Sequence, residues 1–201
     1  MRYLAFLMLL STAVWAQEPP RVYRLKVNGK SYPIYLDKNS ELLVNGQRWQ
    51  VKLEADPDRL FEYKGVSFRY PASMNYEKDS STPGVTIFSL DGNNSVIMLM
   101  APSSLVRSPS FFKDTVTAIK IGYGLGKVSE SPYQVKLGAH TLKVVRLQAR
   151  LVGEVVVQDL LRFTHRGSEY ILVLQDSPQG KQPSRESIEV LKMLQKSFQL
   201  K

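Results

Sequence analysis

Two stretches near the start of the chain carry the same pattern at a spacing of 17. "RLKVNGKSYPIYL" (24–36) aligns without gaps on "ELLVNGQRWQVKL" (41–53). Leu25 matches Leu42, Val27 matches Val44, and Asn28-Gly29 matches Asn45-Gly46. Tyr32 matches Trp49, Ile34 matches Val51, and Leu36 matches Leu53. Alternating apolar residues around Asn-Gly are a hairpin signal, because both turn residues tolerate positive φ. The repeat predicts two consecutive hairpins in a four-stranded β-meander, with Tyr32 and Trp49 as equivalent anchors on one face. A stretch as short as 17–64, without a disulfide, buries little surface of its own. It is expected to dock on the rest of the chain. "ADPDRLFEYKG" follows, and Asp56 as cap with Pro57 at the first helical position predicts a short linker helix.

From Gly65 the texture changes. "VSFRY" alternates and stops at Pro71, and "VTIFSL" and "SVIMLMA" flank Asp91-Gly92-Asn93-Asn94. Ser108 and Pro109 predict a helix start, Phe112, Val116 and Ile119 recur at helical spacing, and Gly122 is a stop. Three longer strands are expected at 140–151, 154–165 and 168–175, joined by glycine-containing turns. A final amphipathic helix is expected behind Ser184, with Ile188, Leu191, Leu194 and Phe198 as its apolar stripe. The fold class read from this order is α+β, an antiparallel β-sheet flanked by helices.

The leading residues "MRYLAFLMLLSTAVWAQEPP" place an arginine before an apolar run from Leu4 to Leu10, then Val14 and Ala16 before Gln17. This reads as a signal peptide over 1–16, with the mature protein periplasmic or extracellular. The run is shorter than a membrane span needs, so no transmembrane segment is expected after cleavage. The chain has no cysteine, which removes disulfides, thiol catalysis and cysteine metal sites. Its formal net charge of +9 favours anionic partners. Nucleic acid is the weaker reading for an exported protein.

The segment 65–201 resembles the PsbP-like superfamily, which includes exported bacterial proteins of the DcrB type. The resemblance is carried by "GVSFRYPASM", "GVTIFSLDGNNSVIMLMA", the helix near 109–121, "LGAHTLKVVRLQA", "VVVQDLLRFTHRGSEYILVLQDS" and "SIEVLKMLQKSF". It implies an α/β/α sandwich acting as a binding or assembly module rather than an enzyme. Where many members carry a glycine-tryptophan pair, this chain has "ASMNYE".

Catalytic motifs are sparse. The two histidines, His140 and His165, lie in a turn and at a strand end, in no metal-binding pair. No GxSxG elbow is present. Glu154 and Asp159 fall on opposite phases of one strand, a poor glycosidase pair. "GYGLGK" (122–127) resembles a phosphate loop, but Ile121 stands where the first glycine is needed and Val128 where Ser or Thr is needed. No catalytic residue, cofactor or metal is expected.

The one feature above background is "VVRLQARL", in which Arg146, Gln148 and Arg150 share a strand phase. With Arg162 from the next strand they form the candidate binding face, since arginine grips carboxylates and phosphates bidentately. The expected function is an exported, non-enzymatic envelope module recognising a protein partner or an anionic ligand. Two alternatives stand beside it. One is a hydrolase with a site at the seam of meander and sheet, using His165 or His140. The other is electrostatic association with anionic lipid or glycan.

Overall fold

A computed structural model describes residues 22–102, 110–151, 153–178, 180 and 182–201. The leader segment 1–16 and the helix-start pair Ser108-Pro109 lie outside the described residues. The chain divides into two compact units, Met1–Ala55 and Asp56–Lys201.

In the first unit the Asn-Gly turns form as the alternation predicts. β1 (Val22–Val27) pairs with β2 (Lys30–Tyr35), and β3 (Asn39–Val44) with β4 (Gln47–Lys52). Asn28, Gly29, Asn45 and Gly46 all have positive φ, the conformation of a two-residue primed turn. The hairpins are two separate two-stranded sheets rather than one four-stranded meander. A parallel bridge joins Leu36 to Leu53, equivalent positions of the repeat, and the Asp37 amide donates to the Leu53 carbonyl at 2.8 Å. Ile34, Leu42 and Val44 are the buried core, with Val27, Tyr32, Val51 and Leu53 packed around them.

The second unit opens with β5 (Asp58–Tyr63) and β6 (Val66–Pro71), a hairpin turned at Lys64-Gly65 with both φ positive. The linker helix expected here is therefore a strand. Its Asp-Pro start is a cap signal, but Leu60, Phe61 and Tyr63 reward an extended chain that pairs with β6 and buries Phe61 against Phe68, ring centroids 4.8 Å apart. β7 (Asn75–Asp79), β8 (Val85–Asp91) and β9 (Ser95–Pro102) follow, then helix α1 (Phe111–Tyr123). Gly122 does not end α1; the chain turns at Gly124, whose φ is +90°. β10 (Val128–Leu137), β11 (His140–Leu151), β12 (Glu154–His165) and β13 (Ser168–Asp176) come next. Helix α2 (Arg185–Ser197) and β14 (Gln199–Leu200) close the chain.

A seven-stranded antiparallel sheet runs in the order β10-β11-β12-β13-β9-β8-β7, and a three-stranded sheet in the order β14-β6-β5. Strand makes up 61% of the structure, against two helices of 13 residues each among the described residues. The fold is thus β-rich, which corrects the expected α+β class, the helix-flanked PsbP-like α/β/α sandwich included. The error came from polar strands. β7 is a wholly exposed edge strand and β10 is exposed from Ser129 to Gln134, so neither shows apolar alternation along most of its length.

The main core lies on one face of the large sheet. Leu137, Leu142, Val144, Leu161, Phe163, Leu172, Leu99 and Phe88 meet Phe61, Phe68 and Tyr70 of the small sheet and Val190, Leu194 and Phe198 at the C-terminal end. Ser184 caps α2, its Oγ accepting from the Ser187 amide at 3.1 Å. The buried stripe of α2 is Val190 and Leu194, while Ile188 is exposed. On the other face a smaller cluster of Leu147, Leu160, Ile171 and Val173 receives Phe112, Val116 and Ile119 of α1.

Glu186, in the first turn of α2, locks the β8–β9 turn to the helix. Its carboxylate accepts from the amides of Asn93 at 3.2 Å, Asn94 at 2.6 Å and Ser95 at 3.0 Å. Gly92 permits the approach, because a Cβ there would stand 2.2 Å from Glu186 Oε1.

Candidate functional site

The register of β11 on β12 decides which of the predicted arginines can act together. Arg146 faces Asp159, Gln148 faces Val157, and Arg150 faces Val155. Directly opposed residues share a face, so these six side chains lie on the face that α2 covers. Arg162 faces Lys143 and therefore points to the opposite face, where its guanidinium sits 6.0 Å from the Phe112 ring. Arg162 thus does not join the other three. The shared phase read along one strand says nothing about the next strand until the pairing is known, and here an odd-numbered partner faces each even-numbered residue.

The remaining arginines differ in what they have left to offer. Arg146 makes a bidentate pair with Asp159, Nε to Oδ1 and Nη2 to Oδ2 both at 2.7 Å. The Tyr133 hydroxyl donates to Asp159 Oδ2 at 2.6 Å, and the Arg146 guanidinium lies 4.9 Å from the Tyr133 ring. Asp159 holds the guanidinium proton of Arg146 far above the usual arginine range. Burial first, and the Asp159 hydrogen bond second, push the Tyr133 phenol well above the ordinary tyrosine value. Arg146 is therefore spent within the fold. Arg162 is likewise paired, Nε to Glu169 Oε2 at 2.6 Å. Arg150 is exposed and has no acidic partner among the described residues. Gln148 is exposed beside it.

Arg146, Gln148 and Arg150 line a groove of about 400 Å³ between β11–β12 and the start of α2. Val155, Val157 and Leu174 form its floor, and Ile188, Val190 and Leu191 its helical wall. At its inner end Asp176 is buried and accepts from the Ser184 amide, at 3.3 Å and 3.2 Å to its two oxygens. Arg150 and the Asp176 carboxylate lie two strands apart in this groove, with Val155 and Val157 between them and the Arg146–Asp159 pair alongside. A concave site of this volume, with aliphatic and polar groups side by side, is of a size that holds small ligands. Sequence reasoning missed the wall and the acidic end. Their signal was faint: Asp176 lies eight residues before the cap Ser184, and nothing local ties the two.

Among the described residues neither histidine is hydrogen-bonded to an acid. His140 packs edge-on to Phe198 with centroids 6.1 Å apart. His165 Nε2 is buried without a hydrogen-bond partner, against Gly65. Among the described residues no group of three or more His, Asp or Glu is placed to hold a metal, and no helix is long and apolar enough to cross a membrane. In the first unit the Tyr32 hydroxyl donates to the Leu43 carbonyl at 3.2 Å, and Trp49 is half exposed.

No family model and no curated protein matches the chain. A crystal structure from Bacteroides thetaiotaomicron VPI-5482 is similar at 15% identity and a TM-score of 0.44, over 73% of this chain and 50% of that one. The chain thus spans half the length of that neighbour. The crystal structure of PA94, a protein of unknown function from Pseudomonas aeruginosa, is similar at 14% identity and a TM-score of 0.30, over 61% of this chain and 85% of that one. Neither description speaks of a PsbP-like protein, and at these scores neither likeness carries a fold or a function to this chain.

Proposed function

We propose that the protein is an exported, non-enzymatic binding module whose groove between β11–β12 and α2 receives an anionic ligand or the acidic group of a partner. The observation that carries this reading is Arg150. It stands exposed in the lining of the groove with no acidic partner among the described residues, whereas Arg146 and Arg162 are paired. An exposed guanidinium without an acidic partner among the described residues is an unused bidentate donor for carboxylate or phosphate. The leader-like start of the chain and its net charge of +9 support an envelope setting with anionic partners.

The test is affinity capture from cell-envelope extract with the wild-type protein and with Arg150→Ser, followed by mass spectrometry of captured proteins and small molecules. A component retained by the wild type and lost by the variant supports the reading. Equal retention by both removes Arg150 from the function and leaves the groove without its anchor.

A further inference from the structure

The segment "GYGLGK", which fails as a phosphate loop, delivers a second cation to the same end of the groove. Helix α1 stops at Tyr123, and Gly124 turns the chain at φ +90°. A single tight turn, Leu125–Lys127, is closed by the Lys127 amide on the Gly124 carbonyl at 2.9 Å and feeds directly into β10. Lys127 folds its stem over Gly124 and lines a shallow concavity of about 550 Å³ with Ser129, Gln148 and Arg150. Ser129 faces Gln148 across the β10–β11 ladder, so both belong to the face that carries Arg150. Gln148 and Arg150 line this concavity and the α2 groove alike. The two hollows are therefore neighbours that meet at Arg150.

Of the charges along this path, Arg146 and Asp159 are taken up by their bidentate pair, which leaves the two ends. Lys127 and Arg150 have no acidic partner among the described residues, while nearby Lys120 is consumed by Glu130 at 2.6 Å. Next come Val155 and Val157 on the floor, with Ile188 and Leu191 above them. Last comes the buried carboxylate of Asp176. An anion is attracted at the outer end and repelled at the inner one, so only one orientation is favourable for a ligand with a charged head and an apolar body. Between the ends the lining is mixed: Val155, Val157, Ile188 and Leu191 form an aliphatic strip beside the mutually paired Arg146 and Asp159.

We infer that the groove takes a single-chain amphiphilic carboxylate, a fatty-acid-like molecule, with its head between Lys127 and Arg150 and its chain running over Val155 and Val157 beneath Ile188. Arginine supplies the planar fork for the carboxylate, lysine the second charge, and the Gln148 amide a further donor, while the Ser129 hydroxyl donates to the Gln148 carbonyl at 3.5 Å. This inference rests on the groove being the binding site, and it names the occupant.

The experiment is a titration of the methyl-labelled protein with decanoate, held below its micelle concentration, read by NMR at Val155, Val157, Ile188 and Leu191. Uncharged decanol is the comparison. The expected result is saturable shifts at these methyls with decanoate and weaker binding with decanol. Lys127→Gln and Arg150→Gln are each expected to weaken decanoate about tenfold, whereas Lys120→Gln leaves it unchanged. Lys127 and Arg150 are exposed and Lys120 is partly buried, and unchanged methyl spectra of the free variants report intact folds. Unaltered affinity in Lys127→Gln overturns the placement of the head. Absence of shifts with decanoate overturns the amphiphile. If Arg150-dependent capture from extract persists in that case, the binding module survives with a different occupant; if decanoate binds while capture ignores Arg150, the loss falls on the capture reading instead.

Discussion

One strand, β11, crosses two regions of the same sheet face, and they have opposite fates. At its first half Leu142 and Val144 are buried in the main core, with Leu161 and Phe163 of β12 beside them. At its second half Arg146, Gln148 and Arg150 occupy the same face and line an open groove. The backbone pairing is continuous through both. What differs is the cover. The β5–β6 hairpin, the C-terminal half of α2 and Phe198 close over the first half, and only the N-terminal part of α2 overhangs the second. A face with aliphatic side chains at every inward position gains by being sealed, at roughly 25 cal/mol per Å² of apolar area. A face with guanidinium groups at those positions gains nothing from a lid that strips their water. The site is where the sheet stops being worth covering.

Mutations at the two halves should separate accordingly. The largest effect is expected at the sealed half: Leu161→Ala removes a fully buried side chain and should cost about 3 kcal/mol in chemical denaturation. Val157→Ala, on the groove floor, should cost about 1 kcal/mol or less. Comparable losses would mean that the groove is packed as tightly as the core. Next comes Arg146→Ala, which leaves the buried Asp159 with only the Tyr133 hydroxyl. We expect a loss of about 2 kcal/mol, moderated by the partial exposure of the guanidinium, and a similar loss in Asp159→Ala.

The Tyr133 phenol offers a test by pH. Its proton is held above the ordinary tyrosine value in the folded state, so its contribution is fully present below pH of about 10 and is lost as pH rises further. Above that value the unfolded chain ionises Tyr133 while the native one does not. The stability advantage of wild type over Tyr133→Phe should shrink by up to about 1 kcal/mol per pH unit, after allowance for the partial exposure of the ring. An advantage that stays constant from pH 9 to about 11 would show that Tyr133 titrates as a free tyrosine, against the burial and Asp159 contact that define the boundary between the halves. The smallest effect on stability belongs to Arg150→Leu, expected within about 0.5 kcal/mol of wild type. The same variant should abolish Arg150-dependent capture, so stability and binding come apart at this one position.

Much of this contrast was legible in the chain. The Asn-Gly turns, the Ser184 cap and the long strands 140–151 and 154–165 were read from local pattern and formed as read. Asp56-Pro57 is a helix-start signal, but the segment extends as β5 and packs Phe61 on Phe68 and Phe88. The edge strands are hard to read from the chain: β7 is polar along nearly its whole length, and β10 opens with Ser129, Glu130 and Ser131, resembling a loop until Val135 and Leu137 enter the core. The three-residue candidate on β11 was legible, but the addition of Arg162 was not safe. Phase along each strand was right, and the register between strands, a non-local quantity, put Arg162 on the far side.

By itself the sequence determined the local alternation, the turns and the polar inward positions of β11, because those follow from the chemistry of neighbours along the chain. Only the tertiary structure decided which arginine stays free. That choice depended on Asp159 lying across from Arg146, on Glu169 reaching Arg162, and on Val155 rather than an acid lying across from Arg150. Each of these pairings joins residues brought together by strand register, and the energy that selects the register comes from sealing the other half of the face.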